Sequence, residues 1–262
     1  MNPLVSIVVP TFNGERYIYE TMSHVFNQTY RNIEVIVVDD CSTDETVSFL
    51  RENFPSVNKL ILSDSNIGLV KNINRGLAIS QGEFVLFLGQ DDLLPEDHIQ
   101  KMVNEFSDSK AVLVHCNSIL IDSLGNEMRL SRKDDTQEFL TLNPLKALSK
   151  SNFIQSCGLL IRRSSLVAIG GWDEQYKFYG EWLSYIRLAK LGVFKYCRES
   201  KSYYRKHPMS LIKKLNKDYK KDLCEYKQRC RLLALHSFDA SFYQKIFLWF
   251  RIQFEAMKDK YR

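Results

Sequence analysis

The sequence of 262 residues contains no long hydrophobic run. No stretch approaches the roughly 20 apolar residues that a membrane-spanning helix needs. The amino terminus, MNPLVSIVVP, also lacks the charged start and the cleavage site of a signal peptide. Hydrophobic residues make up 45% and charged residues 26% of the chain, which is typical of a globular protein and excludes a disordered or collagen-like chain. We therefore expect a cytoplasmic protein with a sizeable core.

Cysteine is scarce and scattered. The six cysteines include no CxxC pair, and no histidines accompany them at zinc-finger spacing. This pattern excludes a disulfide scaffold and a zinc finger, and it predicts reduced, mostly buried thiols. The six positions are Cys41, Cys116, Cys157, Cys197, Cys224 and Cys230.

The glycine-rich loops that bind phosphates or shape hydrolase sites are missing. There is no GxGxxG after the first apolar run and no GxxxxGK[ST], so a dinucleotide or P-loop site lacks its phosphate cradle. A GxSxG motif is absent as well, which argues against a hydrolase. A nucleotide bound to this chain would therefore need another partner for its diphosphate charge, and a metal ion is the natural one.

What the first 110 residues do contain is an alternation of strand and helix patterns. β-Branched apolar runs recur as LVSIVVP, NIEVIVVDD, KLILS and EFVLFLGQDD, and each predicts a buried strand. Helical spacing of apolar residues lies between them, at residues 15–27, 46–50 and 69–80, and Ser42 and Thr43 are placed to cap the second helix. This order predicts an α/β fold with a parallel sheet.

Two of the predicted strands end in pairs of carboxylates, Asp39 with Asp40 and Asp91 with Asp92. Ligands of open α/β sheets bind at the carboxyl ends of the strands, so both pairs are expected at a nucleotide-sized site. Adjacent carboxylates repel each other and need a compensating cation, for which Mg²⁺ or Mn²⁺ is suited. The alternative is that these acids cap the helices that follow them.

The alternation weakens after about residue 110. Residues 111–122 predict a strand, residues 122–137 a surface loop or hairpin, and residues 180–191 an amphipathic helix. From Ser202 onward the sequence reads as basic and helical. Residues 201–262 hold 16 Lys or Arg against 6 Asp or Glu, an asymmetry that indicates an anionic partner.

Two long segments carry a resemblance to a known family. SIVVPTFNGERYIYETMSHVFNQTYRNIEVIVVDDCSTDET and NIGLVKNINRGLAISQGEFVLFLGQDDLLPED resemble the amino-terminal region of the family 2 glycosyltransferases, and GGWDEQYKFYGEWLSYIRLAKLG and YYRKHPMSL extend the likeness more weakly. The resemblance implies an α/β fold of the GT-A type, with a Rossmann-like mixed sheet flanked by helices and here a basic helical C-terminal extension. It also implies transfer of a hexosyl or N-acetylhexosaminyl group, with inversion, from a nucleotide-diphosphate sugar.

The resemblance assigns the donor nucleotide to the first two segments. Pro10, Phe12 and Asp40 match positions that hold the base, Asp91 matches one that touches the ribose and the metal, and Gln90 precedes it. The element after the third strand lies near the base and diphosphate in relatives. The full set of donor-binding residues implied in this way is Pro10, Thr11, Phe12, Asn13, Glu15, Asp39, Asp40, Asn66, Gly68, Lys71, Asn74, Gln90, Asp91 and Arg205.

The resemblance further implies a Mn²⁺ or Mg²⁺ cofactor held by Asp91, Asp92 and His207. Glu181 falls at the position of the general base, which takes a proton from the acceptor hydroxyl; its alternative role is that of an acid at a helix N-terminus. The sequence departs from the family pattern at three positions. Gly89 and Gly180 replace acids, and Ile73 replaces an arginine, which lowers the number of candidate metal and nucleotide contacts.

These matches divide the chain into residues 1–210, a catalytic domain, and residues 211–262, the extension. Within the domain, residues 1–110 are expected to bind the nucleotide and residues 111–210 the acceptor. Residues 242–261 combine aromatic residues with Lys and Arg, so this stretch either lies on the inner membrane face or packs on the protein.

The expected function is synthesis of a cell-surface glycan, with a saccharide or a lipid-linked glycan as acceptor. The alternative is a catalytically degenerate family member that binds a nucleotide sugar or serves as a subunit. A nucleic-acid partner is not expected, because the basic tail contains no recognised nucleic-acid-binding module.

Overall fold

The fold is built around one strand, β1 (Val5–Thr11), all of whose residues are buried. The computed structural model describes residues 2–176, 180–211, 219–237, 245–246 and 248–254. Strand β1 lies between β2 (Ile33–Asp39) and β4 (Phe84–Phe87), and β3 (Lys59–Leu62) continues the sheet beyond β2. All three pairings are parallel, as the alternating pattern predicted.

Helices cover both faces of this parallel half. Helix α1 spans Ile18–Phe26, α2 Thr46–Asn53 and α3 Leu69–Ile79. Apolar residues that alternate along β1 enter two different cores: Val8 packs with α3, whereas Val5, Ile7 and Val9 pack with α1. Because the strands are buried on both faces, they read as continuous apolar runs in the sequence.

The second half makes the sheet mixed and extends it to eight strands in the order β3-β2-β1-β4-β7-β5-β6, with β8 paired to β5. Strand β7 is antiparallel to both β4 and β5, whereas β8 is parallel to β5. The elements of this half are α4 (His98–Asn104), a 3-10 turn (Glu105–Ser107), β5 (Ala111–Ile121), β6 (Glu127–Leu130), α5 (Asp134–Thr141), α6 (Pro144–Leu148), β7 (Leu160–Arg162), α7 (Arg163–Ala168), α8 (Glu181–Leu188), β8 (Val193–Arg205) and α9 (Lys220–Ser237). The prediction of a mixed α/β fold flanked by helices is confirmed.

Two local predictions were wrong, and a third was right in part. Residues 202–205 form the end of strand β8 and are not helical, because β8 pairs with β5 along almost its whole length. Ser42 and Thr43 do not cap α2. Their side chains and N–H groups are hydrogen-bonded to Asp39 and Asn13 instead. The polar stretch after residue 122 does contain a hairpin strand, β6, but it also contains helix α5.

The extension packs on the second half of the fold through two helical segments. Helix α9 contacts α6 and α8, and residues 248–254 are helical and bury Leu248 and Ile252 against Leu235. The same segment leaves Trp249, Phe250 and Phe254 about half exposed. Within the described residues, no helix is both long and apolar enough to cross a membrane. The predicted basic tail at residues 242–261 lies partly outside the described residues.

Candidate active site

The two acid pairs meet at one edge of the sheet. Strands β2 and β4 run parallel on either side of β1, so the residues that follow them emerge at the same end. Asp39 is 1% exposed and Asp40 is 3% exposed, although both lie at a strand end. Carboxylates buried to this degree need hydrogen-bond donors, and each pair finds a different set.

Asp39 organises the loop rather than facing the open edge. Its carboxylate accepts hydrogen bonds from the Thr11 hydroxyl at 2.8 Å and from the N–H and hydroxyl of Ser42 at 2.8 and 2.5 Å. Asn13, at a positive φ of 48°, accepts a bond from the Thr43 N–H and donates its own N–H to Ser42. The sequence prediction placed Asp39 among the donor contacts; the structure shows it holding the end of β1 to the loop after β2.

Asp40 lies against the amino end of α3. Its two oxygens accept the N–H groups of Ile67 at 2.8 Å and Gly68 at 2.9 Å, and Asn66 donates to its backbone carbonyl at 3.4 Å. Gly68 has φ +92° and ψ 153°, a conformation available essentially to glycine alone. Asp40, predicted to bind the base, and Asn66 and Gly68, predicted to lie near the base and diphosphate, therefore form one unit that hydrogen bonds hold together.

Asp91 and Asp92 converge over Gly89. A Cβ added to Gly89 would lie 3.0 Å from Asp91 Oδ1 and 3.0 Å from Asp92 Oδ2, so the glycine leaves the space that the two carboxylates share. Burial and the neighbouring charge of Asp91 raise the pKa of Asp92 well above its ordinary value, although the Arg205 N–H donates to it at 3.0 Å. Two carboxylates this close to each other favour the binding of a cation between them.

His207 stands beside this pair. Its Nε2 lies 2.8 Å from Asp91 Oδ2, and its ring centroid is 5.0 Å from that of Tyr17. Two carboxylates and an imidazole are a donor set that Mn²⁺ or Mg²⁺ accepts. Among the described residues, no three such side chains are already arranged around a cation position. The residues fit the implied metal in kind.

Arg205, predicted among the donor-binding residues, is bonded to other parts of the protein. Its side chain is 1% exposed and donates to Glu20 at 2.6 Å and to the carbonyl of Asp91 at 2.9 Å. A third bond runs to the carbonyl of Asp122 at 3.4 Å, and the guanidinium lies 4.8 Å from the ring of Tyr17. Protein acceptors therefore surround the cation, and it positions the backbone of Asp91 instead of facing an open pocket.

The side chain of Gln90 is also hydrogen-bonded to the protein, at the backbone of Phe12. Its amide accepts the N–H of Phe12 at 2.8 Å and donates to the carbonyl of Phe12 at 3.1 Å, while the Phe12 ring is 44% exposed. The Gln90 side chain thus fixes the chain directly after β1, where Pro10 is buried within the strand. Phe12 is the member of this group whose side chain remains available for stacking.

Asn74 and Glu15 hold loops. Asn74 accepts the N–H of Trp172 and donates to its carbonyl and to Glu174, each at 2.9 Å. Glu15 accepts the N–H of Glu45 at 3.0 Å. Lys71, on the first turn of α3, is exposed. Asn74 was predicted to lie near the nucleotide. In the structure its side chain is hydrogen-bonded to the loop at residues 172–174.

Glu181 opens α8 and lines a pocket of about 350 Å³. Its Oε2 accepts the N–H of Gly180 at 3.1 Å, which is the helix-terminal role weighed as an alternative. Burial raises the pKa of Glu181, and the hydrogen bonds from the backbone of Glu181 and Gly180 partly offset this effect. A half-buried carboxylate with a raised pKa at a pocket wall is a chemically suitable general base. The pocket is lined by Ser151, Asn152, Glu181, Trp182, Leu223, Tyr226, Lys227 and Arg231.

The extension completes the start of α8. The hydroxyl of Tyr226, on α9, accepts the N–H of Trp182 at 3.1 Å and that of Leu183 at 3.4 Å. The first N–H groups of a helix have no hydrogen-bond acceptor within the helix. Gly180, the N-cap residue of α8, has no side chain that could accept these bonds, and the Tyr226 hydroxyl accepts them instead. The sequence analysis did not identify Tyr226, because a tyrosine in a charged helix carries no signal of such a contact.

Two further residues missed by the sequence analysis link the acids to the pocket. The Cys157 thiol donates a hydrogen bond to the carbonyl of Tyr203 at 3.6 Å, and burial and the charge of Asp92 raise its pKa. Burial also raises the pKa of Tyr204, with added effects from Asp92, Asp91 and, more weakly, Glu181. The acid pair Asp91 and Asp92 and the separate carboxylate of Glu181 therefore both influence the pKa of Tyr204. Tyr204 belongs to the YYRKHP segment, directly before the predicted residue Arg205, and this position was the signal that could have identified it. The sequence around Cys157 contains no such signal.

The fold and the site define a class: a mixed α/β sheet with acids at the carboxyl edge and a separate carboxylate beside a pocket. Residues 6–170 match the sequence family described as glycosyl transferase family 2. This match covers more than half of the chain, which therefore belongs to that family. Glu181, Arg205, His207 and helix α9 lie beyond the matched residues.

Curated relatives carry the same class of name. An uncharacterized glycosyltransferase of Haemophilus influenzae is 27% identical over 205 residues, covering 78% of this chain and 79% of that protein. An uncharacterized glycosyltransferase of Rickettsia typhi is 30% identical over 197 residues, covering 72% of this chain and 61% of that protein.

Solved structures share the fold. TarS of S. aureus, residues 1–349 in complex with UDP-GlcNAc, has a TM-score of 0.73 at 21% identity, over 93% of this chain and 70% of that one. The mannosyltransferase PcManGT from Pyrobaculum calidifontis, in complex with GDP-Man and Mn²⁺, has a TM-score of 0.68 at 21% identity, over 95% and 68%. These likenesses agree with the GT-A fold implied by the sequence resemblance.

Proposed function

We propose that this protein is an inverting glycosyltransferase that uses a nucleotide-diphosphate sugar, a UDP-sugar in the first place. The acceptor is a saccharide or lipid-linked glycan of the cell surface, and the enzyme works in the cytoplasm. The observation that carries the proposal is the convergence of Asp91, Asp92 and His207 at the same sheet edge as Asp40. Structural neighbours in complex with UDP-GlcNAc and with GDP-Man support the choice of donor class.

In this proposal the donor lies along the carboxyl edge of the sheet. The base stacks on the exposed ring of Phe12 and is hydrogen-bonded by Asp40, whose position the N–H groups of Ile67 and Gly68 secure. Lys71 is exposed at the first turn of α3 and is the cation available to the donor's phosphates. Asp91, Asp92 and His207 would hold a divalent cation, which supplies charge neutralisation for the diphosphate when bound.

Glu181 is the proposed general base. Its carboxylate takes the proton of the acceptor hydroxyl while the hydroxyl oxygen forms a bond to the anomeric carbon of the donor sugar. The bond from that carbon to the diphosphate oxygen breaks at the same time, and the nucleoside diphosphate leaves with the electron pair. Attack from the face opposite to the leaving group inverts the anomeric carbon. The hydrogen bond from Gly180 N–H holds the Glu181 carboxylate in place for this step.

The experiment that tests the proposal is calorimetric titration with UDP, with and without Mn²⁺, on the wild type and on Asp92→Ala. We expect binding that requires the metal and weakens at least tenfold in the variant. Asp222→Ala removes an exposed acid at the start of α9 and serves as the matched control, with unchanged binding. Absence of UDP binding under both conditions, followed by absence of GDP and dTDP binding, would contradict the assignment.

A catalytically degenerate nucleotide-sugar-binding protein is the second candidate. Gly89 stands where many family members have an acid, and no three metal-binding side chains are preformed in the described part of the chain. The same titration separates the two functions when combined with a hydrolysis assay. Metal-dependent release of UDP from a UDP-sugar by the pure protein excludes the degenerate reading, whereas tight UDP binding without any turnover supports it.

The helical segment at residues 248–254 is the proposed site of peripheral membrane contact. It packs on α9 through Leu248 and Ile252 and leaves Trp249, Phe250 and Phe254 about half exposed, with Arg251 on the same segment. Aromatic and cationic side chains together favour the interface of an anionic bilayer. Co-sedimentation with anionic vesicles that weakens in Trp249→Ser with Phe250→Ser, and no change for neutral vesicles, is the expected result. Equal sedimentation of wild type and variant would contradict it.

A further inference from the structure

The pocket beside Glu181 continues into a second pocket of about 260 Å³. The two share Ser151 and Arg231, so they form one continuous groove, which we name the basic groove. It begins at Glu181 and ends between α9 and the helical segment at residues 248–254. The second pocket is lined by Ser149, Lys150, Ser151, Arg231, Leu248, Arg251 and Ile252.

The charges that line the basic groove are of one sign away from Glu181. Lys150, Lys227, Arg231 and Arg251 lie along it, and among the described residues that line it Glu181 is the single carboxylate. Among the described residues, Lys150, Lys227 and Arg251 form no ion pair with a carboxylate, whereas Arg205, outside the groove, is paired with Glu20. Four cations along one concave surface produce a positive potential there, which attracts an anionic ligand.

Hydrogen bonds and packing fix the position of Arg231 at the middle of the basic groove. The Arg231 guanidinium donates to the carbonyl of Lys150 at 3.2 Å and lies 5.9 Å from the ring of Trp182. The Trp182 indole N–H donates to the carbonyl of Leu148 at 3.1 Å, which fixes the ring. Arg231 is 8% exposed, so its position is set by packing rather than by solvent. The positive charge is therefore preorganised at the middle of the groove.

The remaining walls suit a saccharide. Leu223, Leu248 and Ile252 offer apolar surface, and Ser149, Ser151 and Asn152 offer hydroxyl and amide groups. A sugar presents apolar C–H faces and hydroxyls in the same alternating way, and a pocket of about 350 Å³ is within the usual range for small ligands. The shape and the chemistry of the groove suit a chain of sugar units whose reactive end lies at Glu181.

We propose that the acceptor is an anionic saccharide, one that carries phosphate or carboxylate groups. Its reactive hydroxyl lies at Glu181, and its negative groups lie against Lys150, Lys227, Arg231 and Arg251. This inference rests on the proposed transferase function and adds the chemical class of the acceptor. Three of these four cations belong to the C-terminal extension, since α9 and residues 248–254 lie outside the family-matched residues 6–170, and Lys150 lies within them.

Three saccharides on one backbone test the charge preference: maltotriose, maltotriose with a terminal 6-phosphate, and maltotriose oxidised to a terminal glucuronate. Their binding is measured by calorimetry with UDP and Mn²⁺ present. We expect both anionic forms to bind at least tenfold more tightly than maltotriose, and added salt to reduce that difference. A preference for only one of them identifies phosphate or carboxylate as the group recognised. Equal binding of all three would overturn the proposal.

The double variant Lys227→Gln with Arg251→Gln is expected to remove most of the preference for the anionic forms. Both side chains are partly or fully exposed, so the folded state is retained. Lys221→Gln, which removes an exposed charge of the same helix outside the groove, is the matched control and leaves the preference unchanged. Persistence of the full preference in the double variant would also overturn the proposal.

The outcome is separable from that of the proposed function. UDP titration of the same variants reports the donor site alone, which the groove substitutions leave unchanged. A wild type that fails to bind UDP contradicts the transferase proposal, while the saccharide titrations still report on the groove. Inorganic phosphate is included as a competitor. If it displaces the phosphorylated trisaccharide at an equal concentration, the groove recognises the ion and not an anionic saccharide, which contradicts the inference.

Discussion

At the scale of single residues, the site separates side chains that hold the protein from side chains that face a ligand. Asp39, Gln90 and Asn74 are bound to protein partners, whereas Phe12 and Lys71 are exposed. The residue type alone does not distinguish these roles, because a carboxylate or an amide binds a backbone N–H as readily as it binds a nucleotide.

Replacement of Glu181 by Gln tests the proposed base. The substitution keeps the shape but removes the proton acceptor, so we expect transfer to fall by roughly 10²–10⁴-fold while UDP binding is retained. Because burial raises the pKa of Glu181, the base form is lost on acidification at a higher pH than for an ordinary glutamate. The acid limb of the kcat/KM profile should therefore lie above that of an exposed glutamate. Glu225→Gln, an exposed change on α9, is the control, and full activity of Glu181→Gln would contradict the assignment.

Arg205→Lys separates a positioning role from a phosphate contact. The shorter, single-headed cation cannot keep the bonds to Glu20 and to the carbonyls of Asp91 and Asp122, so we expect the free energy of unfolding to fall by about 2 kcal/mol. Urea unfolding measures this change. Lys206→Gln, at the exposed neighbouring position, should leave stability unaltered. Unchanged stability of Arg205→Lys together with weaker UDP binding would favour the phosphate contact instead.

At the scale of elements, one histidine joins three parts of the second half. His98, in α4, donates from Nε2 to the carbonyl of Gly158 at 2.6 Å and accepts at Nδ1 from the Ser200 hydroxyl at 2.7 Å. It thus links α4 to β8 and to the turn that precedes β7. Cys157, the neighbour of Gly158, donates its thiol to the carbonyl of Tyr203, and the charge of Asp92 helps to raise the pKa of this thiol, so the junction lies beside the acid pair.

Gly158→Ala should disturb that junction. Gly158 has φ +74°, and a Cβ would lie 2.8 Å from His98 Nε2 and 2.9 Å from the Ser202 Cβ. Gly170→Ala is the matched control, because it has φ +84° but nothing within 4 Å of the added Cβ. Both variants carry the backbone strain, and only Gly158→Ala adds the clash. We expect Gly158→Ala to be the less stable by about 1–3 kcal/mol in urea unfolding; equal losses would show that the junction has room to adjust.

At the scale of the whole molecule, buried neutral histidines make stability depend on pH. Burial lowers the pKa of His98 to about 4 and that of His115 to about 3, against an ordinary value of 6.5. Between these values and pH 6.5 the unfolded chain binds more protons than the folded one. Stability contributed by these groups is therefore complete above pH 6.5 and declines as the pH falls toward 4.

His98→Gln tests this dependence. The variant cannot titrate at this position, so its free energy of unfolding should fall less steeply between pH 6.5 and 4 than that of the wild type. The difference for one such group amounts to about 3 kcal/mol over that interval. His236→Gln, an exposed site on α9, is the control and should follow the wild-type curve. Parallel curves for wild type and His98→Gln would show that His98 does not contribute to the pH dependence.

The first half of the fold was predictable because its signals are local. The apolar strands β1, β2 and β4 are buried on both faces, and their alternation with amphipathic helices implies parallel pairing. The convergence of the two acid pairs follows from that pairing. Strand β8 was not predictable, since its buried positions recur at irregular spacings of two and three in a polar sequence, and its pairing with β5 joins residues more than 80 positions apart.

The sequence by itself determined the parallel core, the four acids at its edge and the family to which the chain belongs, because short-range patterns of apolar and acidic residues encode them. Only the tertiary structure decided which of those polar residues are occupied by the protein, as Arg205 is by Glu20. It also decided that Tyr226 of the extension caps the helix of Glu181 and that cations from three segments line one groove. Such contacts join distant parts of the chain, and no local pattern specifies them.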